Sequence, residues 1–484
     1  MITEGSKKQS ELEIIMIEEL VPEDHLLRKI DRFIDFSFIN EICATYYSKD
    51  TGRPAVEPEI LFKMLFLGYL YGIRSERRLV EEVKYNIAYR WFLGYTLKDK
   101  IPDASVIWQN RRRRYRNTDI PQQIFDEIVR QAMDAGLVGG KVLYTDSTHL
   151  KANANKNKYV NVTVEVTPKA YLKELDKAVV EDRKKHGKKP LKKKDDDGSS
   201  GGSDTGEKET KETKEIKQSK TDPESGFMHR DGKPKGFFYL DHRTVDKRAN
   251  IITDTYVTAG NVNDADPYVE RIKEQIEKFG FETKSVGIDA GYNTSYICKS
   301  LWDMGINAAT GYRRSNRQKG SFGKYMFRYV PEWDTYICPE RKYLEYRTTN
   351  REGYREYRAK ESHCSCCPRK CECLTEKQTC KSIQRHIWED YKEWQRLYTL
   401  SDSGKEIYKG RKEHVERSFA DSKELHGLRY CRLRGIDGVR EQCLLTAAVQ
   451  NIKKIALLLS RRENPLKNLF ISFQISSFNQ LLIA

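Results

Sequence analysis

The sequence predicts an α/β protein: a helical N-terminal region, then a mixed sheet interrupted by two insertions. Three observations carry this. Up to about Gly136, apolar residues recur at helical spacing between short turns. From Lys141 onward, short runs rich in Val, Ile, Tyr and Thr alternate with helical stretches. Two stretches break the pattern, one dominated by Lys, Asp, Glu, Gly and Ser, the other by cysteine.

The chain has 484 residues, 38% of them hydrophobic and 33% charged. That is length for several domains, with large solvated surfaces. A net charge of +16 points to a polyanionic partner, most often nucleic acid. The start is polar to Ser10, and the apolar run after Glu13 is too short for a secretion signal. No apolar run reaches the ~18 residues that span a bilayer. Residues 60–73 are interrupted by Lys63, and residues 444–459 by Lys453 and Lys454, so both read as buried helices. These features predict a cytoplasmic protein with no membrane partner.

The helices follow in order. From His25 to Phe36, Leu26, Ile30 and Phe33 share one face. Gly52-Arg-Pro-Ala-Val-Glu-Pro58 is a turn, and Pro58 suits the first turn of a helix that is apolar nearly all round to Leu70. Gly72-Ile-Arg-Ser75 breaks it. Ser75 can cap a helix with Leu79, Val83, Ile87 and Trp91 on one stripe, ended by Gly94. Pro102-Asp-Ala-Ser105 opens a third helix, running to Arg116. Its Arg111, Arg112, Arg113, Arg114 and Arg116, on short helices joined by tight turns, fit a helix-turn-helix-like DNA reader. They would equally suit the solvated basic face of a bundle. Arginines that touch only phosphate give affinity without sequence choice. Residues 125–133 form a further helix.

Val142 to Tyr144 reads as a buried strand ending at Thr145-Asp146-Ser147. Asp146 would then stand at a strand's C-terminal end, where a carboxylate can point into a cleft and hold a metal. Lys151-Ala-Asn-Ala-Asn-Lys-Asn-Lys158 comes next, and Lys151 could line the path of a phosphate backbone. Residues 178–225 are of low complexity and are predicted as a disordered or loosely helical insertion within one domain. The core resumes with residues 236–246 and 251–258, antiparallel neighbours joined at Asn250. A helix through Tyr268, Ile272, Ile276 and Phe279 follows, then a strand ending in Asp289, a helix over 294–304 and a strand over 306–311. Strand, strand, strand, helix, strand, helix, strand is the order of a ribonuclease-H-like (RNase H-like) layer. The predicted organisation is a helical DNA-binding domain over 1–137, the catalytic layer over 138–462 and a tail over 463–484.

A two-metal phosphoryl-transfer site needs several carboxylates, with the metals ~4 Å apart. A third should come from a helix packing back on the sheet. In Arg411-Lys-Glu-His-Val-Glu-Arg-Ser-Phe-Ala-Asp-Ser-Lys423, Val415 and Phe419 mark a buried stripe and Glu416 stands beside it. Lys423 follows two turns later, able to meet DNA phosphate. Glu413 competes but lacks both the stripe and the lysine spacing. Asp241, Asp246 and Asp254 read as structural or supporting carboxylates, and His149 as a packing residue or phosphate contact.

Six of the 11 cysteines lie between Cys364 and Cys380. In a reducing compartment such a cluster favours metal over disulfides. Cys364-x2-Cys367 is a zinc-knuckle spacing, which Cys338 with Cys373 or Cys371 would complete as a structural four-thiolate site within an insertion over about 335–385. Cys366 is a further candidate, and a loop of reduced thiols the alternative.

With these residues in view, the chain resembles bacterial insertion-sequence transposases of the DDE type, which have a retroviral-integrase-like catalytic fold. The matching stretches are Gly52-Arg-Pro with its helix, Ser75-Glu-Arg-Arg-Leu, Arg90-Trp-Phe-Leu-Gly, Thr145-Asp-Ser-Thr-His-Leu-Lys-Ala-Asn, Asp289-Ala-Gly-Tyr, and Val415-Glu-Arg-Ser-Phe with Lys423. The resemblance implies that Asp146, Asp289 and Glu416 are catalytic and bind Mg2+ (or Mn2+). It implies that double-stranded DNA, as terminal repeats and target, is cleaved and joined by a homodimer holding two ends. It also favours Cys373 over Cys371 in a structural Zn2+ site. Related transposases carry Tyr-x2-Arg-x3-Glu-x6-Lys. Here Glu416 and Lys423 fit the second half, Lys412 occupies the arginine slot, and Tyr408 and Arg411 are displaced by one. A nuclease that cuts without joining, and an inactive DNA-binding regulator, are the other readings.

Overall fold

Capping residues set the helix boundaries in the computed structural model, which describes residues 14–48, 55–165, 171–191, 213–229, 235–311, 322–376 and 378–463. The turn at Gly52, the middle of the charged insertion and nearly all of the tail lie outside the described residues. Pro58–Leu70 buries every residue from Leu61 to Leu70 except Lys63, as its nearly all-round apolar surface requires. Ser75 caps Glu76–Tyr85 by accepting from the Arg78 amide at 3.4 Å. The stripe predicted to run on to Trp91 is broken at Asn86. Its side chain accepts from the Tyr89 amide at 3.1 Å and starts a separate helix, Ile87–Phe92. Asparagine competes for backbone hydrogen bonds and so favours a cap over a helix interior. Asp103 caps Ala104–Asn110, and a π turn, Arg111–Tyr115, replaces the last part of the predicted arginine helix. Ile120–Asp134 comes next and is closed by Gly136 in the left-handed region.

The strands that come next are β1 (Val142–Lys151), β2 (Tyr159–Glu165), β3 (Thr213–Ser219), β4 (Gly226–Met228), β5 (Gly236–Asp246), β6 (Ile252–Ala259), β7 (Ser285–Ile288) and β8 (Asn307–Thr310). β1 pairs antiparallel with β5 and parallel with β7; β8 extends the parallel side, and β6 and β4 both pair with β5. Helices Tyr268–Phe279 and Ser295–Asp303 fall between the later strands. This is the predicted ribonuclease-H-like order. One expectation is corrected. β1 does not stop at Tyr144 but continues to Lys151, because β5 offers it backbone partners as far as Phe238. Asp146 therefore lies within a strand. Only the parallel ladder to β7 ends before it, at Thr145.

The charged insertion is more ordered at its ends than predicted. β2 and β3 form a ribbon across it, and Tyr171–Lys185 is a packed helix. Leu175 and Val179 bury against Trp388. Asp182 accepts from Arg355 Nε at 2.9 Å and from the Thr349 hydroxyl at 2.6 Å. The surrounding lysines hide a buried stripe at i, i+4.

The cysteine-rich insertion is an antiparallel meander of β9 (Arg328–Val330), β10 (Thr335–Ile337), β11 (Tyr343–Thr349), β12 (Tyr354–Ala359) and β13 (Ser382–His386), paired in chain order. Tyr336, Leu344, Tyr357 and Ile383 form its core. The long helix Ile436–Glu463 is the spine. Leu444, Ala447 and Ala448 pack on the sheet side, while Leu445, Val449, Ile452 and Ile455 join the N-terminal helices. Its length and composition would let it cross a membrane, but packing on both sides takes up its apolar residues.

Candidate active site

Strand register brings Asp146 and Asp289 together. The last rung of the β1–β7 ladder pairs Thr145 with Ile288. Asp146 and Asp289 are the next residues on two strands that lie ~4.8 Å apart.

A helix crossing this edge supplies Glu416. Asp402–Gly410 runs through a π turn, Lys412–Glu416, into Arg417–Glu424. The Glu416 amide donates to the Arg411 carbonyl at 3.3 Å, a five-residue step. A π turn holds one residue more than an α turn. The sequence reads Tyr-x2-Arg intact from Tyr408 to Arg411, with one extra residue before Glu416. The π turn absorbs that residue, so the apparent displacement of Tyr408 and Arg411 is a local bulge. Arg411 spans both aspartates: Nη2 lies 2.7 Å from Asp146 Oδ2 and Nη1 3.4 Å from Asp289 Oδ1. Its guanidinium lies 5.7 Å from the Tyr408 ring, and the site edge is closed by Tyr144 stacked on His414 at 4.4 Å.

Asp146 feels the charge of both other carboxylates. Asp146 has its pKa pushed up to about 6, chiefly by burial. Arg411 and the Ser147 amide pull it down, and the charges of Asp289 and Glu416 push it up. Glu416 itself is exposed. Among the described residues, no three His, Cys, Asp or Glu side chains stand at metal-holding distance from one another. Between the two aspartates the Arg411 guanidinium takes the central place.

A buried polar clamp, missed in the sequence, docks the Glu416 helix. Arg243 and Asp241 are both fully buried and 2.7 Å apart on β5. Arg243 Nη1 donates to Ser418 Oγ at 2.9 Å and Ser422 Oγ at 2.7 Å, and its guanidinium lies 4.8 Å from the Phe419 ring. Arg243 is the β5 residue opposite Asp146, so one strand position faces both the carboxylate and the helix that serves it. Asp246 instead binds the Gly139 and Gly140 amides, and Asp254 pairs with Arg271.

The basic residues divide. Lys423 Nζ donates to Thr148 Oγ1 at 2.6 Å, two residues along β1 from Asp146. Lys151 ends the same strand. Arg112, Arg113 and Arg116 are exposed, and Arg114 lies over the Tyr47 ring at 4.3 Å. Arg111 departs from the expectation of a DNA contact. It is held in the wall between Glu76 at 2.6 Å and Glu441 at 2.8 Å, and two carboxylates leave it little to offer a phosphate.

Cys338, Cys364 and Cys373 line the same small core of the meander. Burial raises the Cys364 and Cys373 thiols, and neighbouring thiols, Cys367 and Cys338 among them, raise both further. Lys342 donates its amide to Cys338 Sγ at 3.3 Å. Cys366 and Cys371 are exposed.

Residues 15–113 match the family described as Transposase domain (DUF772), and residues 337–456 match the family described as Transposase DDE domain. The second match contains Arg411, Glu416 and Lys423, and begins well beyond β1 and β7. No curated protein matches the chain. Among solved structures the chain is similar to a piggyBac transposase synaptic complex with hairpin DNA, at 11% identity and a TM-score of 0.33, over 95% of this chain and 81% of that one. The chain thus carries a match to a transposase domain on the N-terminal side of its ribonuclease-H-like sheet and a match to a transposase DDE domain on the C-terminal side.

Proposed function

We propose that the protein mobilises a bacterial insertion sequence, binding its terminal repeats and catalysing metal-dependent cleavage and strand transfer. The observation that carries this is the junction of Asp146 and Asp289 at the end of one parallel ladder, with Arg411 across both and Glu416 one π turn further. Asp146, Asp289 and Glu416 would hold Mg2+ or Mn2+. The donor set suits a hard cation, being all oxygen. Burial is the main cause that raises Asp146, and the lesser repulsion from Asp289 and Glu416 favours a cation among them. Bound there, divalent ions supply the activation of an attacking oxygen and the stabilisation of a leaving one.

The remaining residues position DNA. Lys151 lies along β1 from Asp146 and Lys423 reaches that strand at Thr148, and the exposed Arg112, Arg113 and Arg116, with Arg114 beside them, offer phosphate contacts on the helical side. Cys338, Cys364, Cys367 and Cys373 would hold a structural Zn2+, since a cation among crowded thiols favours their thiolates. Two element ends need joining together, which fits a homodimer working on cytoplasmic, nucleoid DNA.

The test is strand transfer with the DNA ends that flank the gene, a target plasmid and Mg2+. Wild type should cut and join. Asp146→Asn, Asp289→Asn and Glu416→Gln should each lose both steps and bind Mn2+ more weakly by calorimetry. A fully active variant would remove that residue from the site, and cutting without joining would favour a nuclease.

A further inference from the structure

Tyr430 is exposed yet rigidly mounted. Its residue is 48% accessible, although it belongs to a segment tied down on three sides. The neighbouring Cys431 amide donates to the Lys151 carbonyl at 2.9 Å, which fixes the segment to the end of β1. The Tyr430 carbonyl accepts from Gln442 Nε2 at 3.1 Å, and the Arg432 amide donates to Gln442 Oε1 at 2.8 Å. Gln442 is buried, so one amide from the long helix clamps both sides of Tyr430. Arg432 then reaches the Ile73 and Arg74 carbonyls at 3.2 and 3.1 Å, which fixes the Arg74 loop to the same base.

Two exposed cations lie over the ring. Lys151 Nζ lies 5.7 Å from its centroid and the Arg74 guanidinium 5.9 Å. They come from the carboxylate-bearing strand and from the N-terminal helices, and the ring comes from the segment after the Glu416 helix. A ring that only packs has no need of a solvent-facing position on so fixed a backbone. An exposed aromatic with long, solvent-facing cations over it suits a nucleobase: the cations turn from the ring to the adjoining phosphates as the base takes the ring face. A duplex keeps its base faces covered by stacking, so such a ring selects an unpaired nucleotide. Lys151 lies five residues beyond Asp146 on β1. That is roughly 16 Å at ~3.3 Å per residue, or a few nucleotides of strand.

We propose that Tyr430, with Lys151 and Arg74, is a stacking platform for an unpaired DNA nucleotide a few positions from the Asp146 carboxylate. It rests on the reading of the protein as a DNA-cleaving enzyme and adds where a strand lies once local pairing is lost.

The test uses the full-length protein, with no divalent ion added, and two generic oligonucleotides: a blunt duplex, and the same duplex with a short single-stranded overhang carrying 2-aminopurine. The wild type should prefer the overhang by about tenfold and quench the 2-aminopurine on binding, as stacking does. Tyr430→Ala should bring that ratio close to one and remove the quench, and Tyr430→Trp should restore both. Lys151→Gln with Arg74→Gln should flatten the salt dependence of overhang binding. An unchanged ratio in Tyr430→Ala, or a wild type that binds both DNAs equally, would overturn the platform and leave the transposase reading standing. A wild type that binds neither DNA would overturn both.

Discussion

The Glu416 amide donates to the Arg411 carbonyl at 3.3 Å, five residues back along the helix. That bond lets Arg411 bridge Asp146 and Asp289 while Glu416 and Lys423 keep their own places. The extra residue of the turn is therefore removable in principle. Deleting Lys412 should close the π turn to an α turn without changing the phase of the helix beyond it. Deleting Ala420 instead should rotate the rest of that helix by ~100° and take Lys423 away from Thr148. In thermal melts the Lys412 deletion should stay within about 4 °C of wild type, a cost near 1 kcal/mol, and should keep Mn2+ binding. If both deletions behave alike, the bulge is not the device that sets this spacing.

Arg243 and Asp241 should matter through the helix they hold. Both are fully buried, and Ser418 and Ser422 complete the arginine's partners. Breaking one side of a buried pair leaves an uncompensated charge and costs about 3–5 kcal/mol. Arg243→Met should lower the melting temperature clearly. Arg243→Met with Asp241→Leu should recover part of the loss, because no charge is then left alone. Hydrogen exchange should rise first in residues 417–424. A single variant that melts like wild type would show the clamp to be idle.

Asp146 gives a pH dependence with a definite sign. Its folded pKa, about 6, lies above the ordinary aspartate value, so its ionised form is the disfavoured one in the fold. Its contribution to stability is thus fully present below about pH 4 and is lost as pH rises through about 6. Without divalent ions, Asp146→Asn should match wild type in melting temperature near pH 4 and exceed it by pH 7. The gap should widen between those values. A constant gap would mean that Asp146 ionises normally.

The sheet was legible because buried strands write themselves as apolar runs, as Val142 to Tyr144 and Ser285–Ile288 do. The ribbon and the meander were not, since Tyr343-Leu-Glu-Tyr-Arg and Tyr159-Val-Asn-Val-Thr alternate apolar with polar residues inside stretches whose charge or cysteine content dominates. Their period of two is present, but it is short and easily masked by that composition. Asp146 and Asp289 could be found as strand-end carboxylates, although the reach of β1 depended on β5, a remote partner. Arg411 was hidden by a π turn, which leaves no sequence mark beyond a broken spacing. Arg243 was hidden because its partner Ser418 is 175 residues away. Arg111 misled because an arginine run looks the same whether solvent or two glutamates receive it.

The cysteine meander makes a prediction that separates neighbouring residues. Cys338, Cys364 and Cys373 share one small core, and the thiols of Cys367 and Cys338 raise Cys373 further. Cys366 and Cys371 stand outside in solvent. A four-thiolate site on the inner set would fix the β10–β11 turn to the short helices after β12 and would leave no open position for chemistry. Purified wild type should hold about one zinc per chain. Cys364→Ser, Cys367→Ser and Cys373→Ser should lose it and melt earlier, while Cys366→Ser and Cys371→Ser keep both metal and melting temperature. Chelation of the wild type should reproduce the melting loss of the inner variants and add nothing to them. Zinc-free wild type would end the idea, and equal losses in Cys371→Ser and Cys373→Ser would show that burial does not choose the ligands.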